Sequence, residues 1–142
     1  MRVVIDTNIF VSALMNADGA PRAVLALALQ RQIEPAFGNA LFAEYEDVLA
    51  RSALFDRSPL LPAEQTALFE ALLSVSCWTR VHFLWRPNLP DEADNHVLEL
   101  AVASGAEAII TRNIRDFSRA ELAFPGLRIL TAGDFLKSWR PP

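Results

Sequence analysis

The sequence predicts an α/β fold with a mostly parallel central sheet. Three observations predict it. Val3-Val4-Ile5 and Ala108-Ile109-Ile110 are short, wholly apolar runs of the kind buried on both faces of a parallel sheet. Between such runs lie longer segments with apolar residues at helical spacing. The two kinds of segment alternate along the chain, and helices covering both faces of a sheet are the packing solution for that alternation.

Taken in order, Val3 to Ile5 is the first strand, and Asp6-Thr7-Asn8 is a polar turn that ends it. Ile9 to Met15 reads as a short helix. Pro21 begins the next helix, which runs to about Arg31, because proline suits the first helical position. Ile33 to Phe37 is a second strand, and Pro35 confines it to an edge or to irregular pairing. Asn39 is a good N-cap for a helix with its apolar stripe at Leu41, Phe42, Tyr45, Val48 and Leu49. Pro59 and Pro62 bracket a loop, and Pro62 or Ala63 opens a helix to about Leu73. Within the segment Val75 to Trp85, the alternation of Val81, Phe83 and Trp85 with His82 and Leu84 suggests a strand. After Pro87 and Pro90, Asp91 caps a helix from Glu92 to about Ala103, stopped by Gly105. Ala108 to Ile110 is the next strand, ending in Thr111-Arg112-Asn113. Leu127 to Leu130 is the last strand, followed by a short helix from Ala132 to Trp139.

The 142 residues suit one domain, 1–142, and a hydrophobic fraction of 52% with 21% charged residues is enough for a packed core. Neither repeats nor a linker interrupt the chain. The longest apolar stretch, Ala23 to Leu29, falls far short of the roughly 18 residues of a membrane span. An acid at position 6 is wrong for a signal peptide. The single cysteine, Cys77, excludes an internal disulfide and a cysteine-based zinc site, so a reduced cytoplasm is the simplest location. Seventeen acids against 13 bases give a net charge of −4, which is unexpected for a protein that holds nucleic acid mainly by counterion release. Local charge nonetheless matters more than the total. A mean hydropathy of +0.22 points to an apolar surface covered by a partner, such as a second copy of the chain.

In open α/β sheets ligands gather at the carboxyl ends of the strands. Asp6 directly follows the first strand, while Asn113 and Asp116 follow a later one. Asp91 and Asp94 open a helix, and Glu44 and Glu46 stand at opposite edges of the stripe around Tyr45. Helices packed on the sheet in the usual way bring such acids together. Clustered carboxylates repel one another unless a cation neutralises them, and oxygen ligands suit Mg²⁺ or Mn²⁺. Such an ion lowers the pKa of bound water and holds a phosphodiester for in-line attack. Each acid also has a plainer role: Asp91 as a cap, Asp94 as a first-turn acid, either glutamate as solvated surface, and Asp116 as a turn former. Periodicity does not choose between Glu44 and Glu46. Asp6 is the hardest to explain structurally.

With these residues the chain resembles the PIN-domain nucleases. Val3-Val4-Ile5-Asp6-Thr7-Asn8-Ile9-Phe10 looks like the family's first-strand motif. Asn39 to Leu49, containing Glu44-Tyr45, is similar to the segment with the second acid. Pro90-Asp91-Glu92-Ala93-Asp94-Asn95, followed by Leu98 to Ala103, looks like the segment with the third. Gly105-Ala106 through Thr111-Arg112-Asn113 to Arg115-Asp116-Phe117 resembles the strand and turn before the final acid, and Ile129 to Leu136 resembles the usual ending. The likeness spans nearly the whole chain, and the order and spacing of its parts are what make it specific. It implies a three-layer fold with a five-stranded parallel sheet between helices. It also implies a Mg²⁺- or Mn²⁺-dependent endoribonuclease, the toxin of a type II toxin–antitoxin pair, with an antitoxin partner that covers the site and a homodimeric toxin. Position by position it assigns Asp6, Glu44, Asp94 and Asp116 as the catalytic, metal-holding acids. Glu44 is preferred to Glu46 by this match alone. Asp94 is preferred to Asp91 because it stands seven residues before Ala101, as the family's third acid stands before its alanine. Thr7, Asn8, Thr111 and Asn113 are polar groups around that site, and the basic run of Arg112, Arg115 and Arg119 beside it either holds phosphate or is a solvated loop that balances the acids. Many members have aspartate where this chain has Asn113, an amide that coordinates through oxygen without bringing charge. The fourth position is therefore Asp116 or a partly neutral site, and one ion is better supported than two.

Two other phosphoryl-transfer classes fit less well. A haloacid-dehalogenase-type phosphatase wants a second aspartate where Asn8 stands, and a receiver domain wants a lysine after a late strand, whereas Lys137 lies in the terminal helix. The alternative from another class is a non-catalytic PIN-like module that binds RNA or protein, which Asn113 and the negative charge permit. Trp78, Trp85 and Trp139 are expected in the core or at an interface, Cys77 as a small buried residue, and His82 and His96 at the surface.

Overall fold

The structure, a computed structural model, describes residues 1–81, 92–117 and 124–141. Among the described residues five strands form one sheet: β1 (Arg2–Ile5), β2 (Glu34–Phe37), β3 (Cys77–Trp78), β4 (Ala108–Ile110) and β5 (Arg128–Leu130). Their order is β3-β2-β1-β4-β5, and every neighbouring pair is parallel. The helices are α1 (Thr7–Met15), α2 (Ala20–Leu29), α3 (Asn39–Leu49), α4 (Pro62–Ser74), α5 (Glu92–Ser104) and α6 (Ala132–Ser138), with short 3-10 turns at Ser52–Phe55 and Ile114–Phe117. Parallel crossovers are right-handed. The β1-to-β2 and β3-to-β4 connections run in opposite directions along the sheet, so their helices fall on opposite faces and make three layers. α5 packs across β1, β2 and β4, whereas α1 and α2 pack together and α2 meets α6. Among the described residues, no helix is long and apolar enough to cross a membrane.

Val3, Val4, Ile5, Ala108, Ile109 and Ile110 are all buried, as continuous apolar runs in central parallel strands should be. β1 and β4 are paired in register, Val3 with Ala108 through Ile5 with Ile110. This places the ends of both strands side by side.

Three local expectations are corrected. Pro35 does not put β2 at an edge, because β2 lies between β1 and β3. The Glu34 N–H turns toward β1, donating to the Met1 carbonyl at 2.9 Å, so by alternation the Pro35 nitrogen faces the other side. On that side β3 pairs only from Ala36 onward, and no ladder bond is lost. Cys77–Trp78 form the two-residue β3, and Val81 is outside any strand; the rest of the alternating segment, His82, Phe83, Leu84 and Trp85, and the cap Asp91 lie outside the described residues. Asn39 is the first residue of α3, and the cap is Gly38. A Cβ at Gly38 would stand 3.0 Å from the Thr79 carbonyl oxygen and 3.3 Å from Leu100 Cδ1, so this close approach of β2 to α5 needs glycine. Finally, α1 starts at Thr7 and not at Ile9, for a reason that belongs to the site below. Cys77 is half-buried at the sheet edge, and Trp78 is 52% exposed, meeting Phe42 edge-on.

α2 and α5 end in the same way. The N–H of Gln32 returns to the Leu27 carbonyl and that of Arg31 to Ala28, while Ala106 returns to Ala101 and Gly105 to Val102. Each is a Schellman closure with a left-handed residue after the cap. In α5 that residue is Gly105 (φ +71°), but in α2 it is Arg31 (φ +61°), whose Cβ is strained there. Arg31→Gly is therefore expected to stabilise the fold by about 0.5 kcal/mol, the relieved strain slightly exceeding the added freedom of the unfolded chain. Urea unfolding measures it, and a lowered midpoint would contradict the assignment.

Candidate active site

The strand order reverses direction between β1 and β4, since β1 is followed by β2 on one side and β4 by β5 on the other. The crevice at the carboxyl ends of these two strands is where a doubly wound sheet binds ligands. Asp6 and Thr111 are the first residues beyond β1 and β4.

Asp6 is the N-cap of α1 in extended conformation (φ −62°, ψ 149°). Its Oδ1 accepts from the Thr7 backbone N–H at 2.8 Å, so helix geometry begins at once and the expected polar turn is the first turn of α1. Its Oδ2 accepts from the Thr111 hydroxyl at 2.7 Å and the Asn8 amide at 3.2 Å. Three donors on two oxygens suit an ionised, acceptor-only carboxylate. Asp6 is 6% exposed and Thr111 is wholly buried. Asn8 fastens the two strand ends together, because its carbonyl oxygen accepts from the Arg112 backbone N–H at 3.2 Å. Thr111 Oγ1 also accepts from the Asn113 backbone N–H at 3.1 Å. The Arg112 side chain is exposed and turns to Ser12 Oγ at 3.4 Å.

α3 brings the second acid. Thr7 Oγ1 donates to Glu44 Oε2 at 2.9 Å, so one threonine holds Asp6 through its N–H and Glu44 through its hydroxyl. Glu44 is half-buried, whereas Glu46 is exposed, so geometry separates two residues that periodicity left equal. The next residue, Tyr45, is fully buried, and its hydroxyl donates to the Ile5 carbonyl at 2.7 Å. Continuing the β1–β2 register sets Ile5 opposite Phe37, where β2 ends, so the phenol replaces a ladder donor that β2 no longer supplies. Reading Tyr45 as one more apolar stripe residue misses this function.

Asp94 lies in the first turn of α5, which packs over β1 and β4, but its side chain is outside the described residues. Its neighbour Asn95 is 4% exposed, a buried polar group that the sequence did not single out. Asp116 lies in the 3-10 turn after β4, half-buried, with its N–H bonded to the Asn113 carbonyl at 3.1 Å. Among the described residues no three acids, histidines or cysteines gather into one metal cage. Asp6 and Glu44 are thus brought together, with Thr7, Asn8 and Thr111. The donors present are all oxygens, as a hard divalent cation requires.

Burial holds the Tyr45 phenol well above its ordinary value of 10.0, and the charges of Asp6 and Glu44 push it further in the same direction. An unfolded tyrosine ionises near pH 10 while the folded one keeps its proton, so stability is undiminished below that pH and falls above it. Tyr45 is the only tyrosine in the chain. In an alkaline titration the tyrosinate absorbance is therefore expected to rise together with the loss of helical circular dichroism. Tyrosinate forming in the intact fold would contradict this account.

The site and topology define a class first: a doubly wound parallel α/β protein with an acidic, all-oxygen site at its switch point. Residues 2–115 match the PIN domain family, and the chain belongs to that family. Its fold is similar to that of a chain in the crystal structure of VapBC2 from Rickettsia felis bound to a DNA fragment from their promoter. The TM-score is 0.60 at 17% identity, covering 92% of this chain and 98% of that one, so the likeness is one of fold. The sequence matches no curated protein.

Proposed function

We propose that this chain is a metal-dependent endoribonuclease that hydrolyses RNA phosphodiester bonds, and that it is the toxin of a type II toxin–antitoxin pair. The observation that carries the proposal is Asp6: a nearly buried carboxylate at the sheet's switch point, aimed by three donors and joined to Glu44 through Thr7. Membership of the PIN-domain family and the fold shared with a VapBC2 chain support the same reading.

In this proposal Asp6, Glu44, Asp94 and Asp116 are the acids that would hold Mg²⁺ or Mn²⁺. Such an ion, when bound, makes water a better nucleophile at neutral pH and offsets charge on the phosphate. The protein's own part is orientation. Thr7 and Thr111 fix the two faces of the Asp6 carboxylate, and Asn8 ties that arrangement to the loop after β4. Arg112, exposed at the mouth of the crevice, is assigned to the phosphate, with Asn113 beside it. A toxin needs an antitoxin to cover its site in the cytoplasm, and the high apolar content suits both that partner and a homodimer of 142-residue single-domain subunits.

The experiment is cleavage of single-stranded and structured RNAs by the purified protein, with Mn²⁺ or Mg²⁺ and with EDTA. Cleavage that needs the ion is expected. If several RNAs survive intact and calorimetry detects no ion binding, the catalytic reading fails and the chain is a PIN-like binding module.

A further inference from the structure

We propose that the groove between α3 and α5 is a subsite for one unpaired nucleobase of the RNA, selecting bases that carry an exocyclic amino group. The inference rests on the ribonuclease reading for its biological meaning, but its chemistry is separate.

The groove is shallow and open, with a volume of about 450 Å³, and among the described residues it is lined by Ala40, Ala43, Glu44, Asp47 and His96. That volume lies within the range of small-molecule sites. Positions 40, 43, 44 and 47 follow one another at helical spacing, so they form one continuous face of α3. His96 looks across from α5. The floor is open because two of the α3 side chains are only methyl groups. Glu44 belongs to both places: it lines the groove and reaches Thr7 beside Asp6, so whatever occupies the groove adjoins the acidic site.

The lining decides which part of an RNA fits. Among the described residues it offers two carboxylates and no lysine or arginine, which disfavours a phosphate. A base instead presents a flat face to the alanine methyls and the imidazole, and histidine rings are among the surfaces on which splayed bases stack. Carboxylates accept hydrogen bonds from amino groups such as the cytosine N4. Uracil has a carbonyl at the same position and would meet an acceptor with an acceptor. His96 is half-buried and makes no hydrogen bond or ion pair among the described residues, so its ring is available to a ligand. Asp47 is partly balanced by Arg51 at 2.6 Å, which makes the groove acceptor-rich more than strongly anionic and favours a neutral donor over a cationic side chain.

The test uses nucleosides, which carry no phosphate and cannot be cleaved by this reaction. Cytidine and uridine are titrated separately into the ¹⁵N-labelled protein in EDTA, following the amides of Ala40, Ala43 and Asp47. Cytidine is expected to shift them with an affinity about threefold to tenfold above that of uridine, the worth of one net hydrogen bond. Ala43→Leu, an exposed change that suits a helix, is expected to abolish the shifts while leaving the circular dichroism spectrum intact. His96→Ala should weaken both nucleosides, and Asp47→Asn should erase the preference. Equal affinities, shifts that survive Ala43→Leu, or no shifts at millimolar nucleoside would each overturn the subsite. So would methylguanidine binding more tightly than cytidine at the same amides, since the groove would then fit a partner protein's arginine. Cytidine selectivity in a protein that cuts no RNA would leave the subsite standing and remove only the catalytic reading.

Discussion

Asp6→Asn is expected to lower ion-dependent RNA cleavage by about a hundredfold or more, because several kcal/mol of charge stabilisation depend on that carboxylate and each 1.4 kcal/mol is tenfold. The fold should survive, and that makes the substitution informative. Asparagine is as good an N-cap as aspartate, and its Oδ1 still accepts from the Thr7 N–H. The new amide nitrogen faces the Thr111 hydroxyl, which loses its acceptor and already accepts from the Asn113 N–H and the Asn8 amide. The bonds that Oδ2 accepted from Thr111 and Asn8 are lost, a cost of about 2 kcal/mol that a stable domain can carry. Cleavage rates with Mn²⁺ and Mg²⁺, read beside urea unfolding of the same preparation, separate chemistry from folding. Activity within a few-fold of the wild type would remove Asp6 from the site and the ribonuclease reading with it. Asp6→Ala is a poorer probe, since it also deletes the cap, so a loss of activity would have two causes.

The fold was legible where burial is total. Val3 to Ile5 and Ala108 to Ile110 are strands because nothing polar interrupts them, and nothing polar interrupts them because both faces are covered. Their parallel alternation with helices then implies a site at the strand ends, and Asp6 stands there. Legibility failed where a tertiary partner decides. Pro35 is harmless only because β3 is short and begins beyond it, which no local rule foresees. Asn39 has the better capping side chain, yet the cap falls on Gly38, where Thr79 and Leu100 leave little room for a Cβ. Cys77-Trp78 form the edge strand, two residues with no alternation of their own to mark them.

The site divides in the same way. Asp6 follows from position in the sequence. Glu44 over Glu46 does not, because both flank the same stripe, and the difference is that only Glu44 meets Thr7. The role of the Tyr45 hydroxyl depends on where β2 stops, which is likewise a tertiary fact.

The second large effect is on stability. Phe69→Ala is expected to cost about 3–5 kcal/mol, the range for deleting a buried phenyl ring. Phe69 is 5% exposed, projects from α4, and lies in the middle of five aromatic rings. Its centroid is 5.4 Å from Tyr45, 5.6 Å from Phe42, 5.8 Å from Phe10 and 6.2 Å from Phe37. These four rings come from α3, α1 and β2, so one side chain of α4 joins three elements that frame the site. Removing it leaves a cavity that neighbouring rings, each fixed by a second aromatic contact such as Phe10 on Tyr45 at 4.6 Å, cannot easily fill. For a domain whose whole stability is about 5–15 kcal/mol, such a loss removes about a fifth or more of it and lowers the midpoint of urea unfolding in proportion. Phe69→Leu keeps most of the volume and should cost clearly less. The comparison also reaches the function: α3 carries Glu44 and Tyr45 on a helix held down through Phe42, Tyr45 and Phe69, so a partly folded Phe69→Ala protein should lose cleavage in proportion to its unfolded fraction. A Phe69→Ala protein as stable as the wild type would mean that the aromatic cluster does not hold α3 on the sheet.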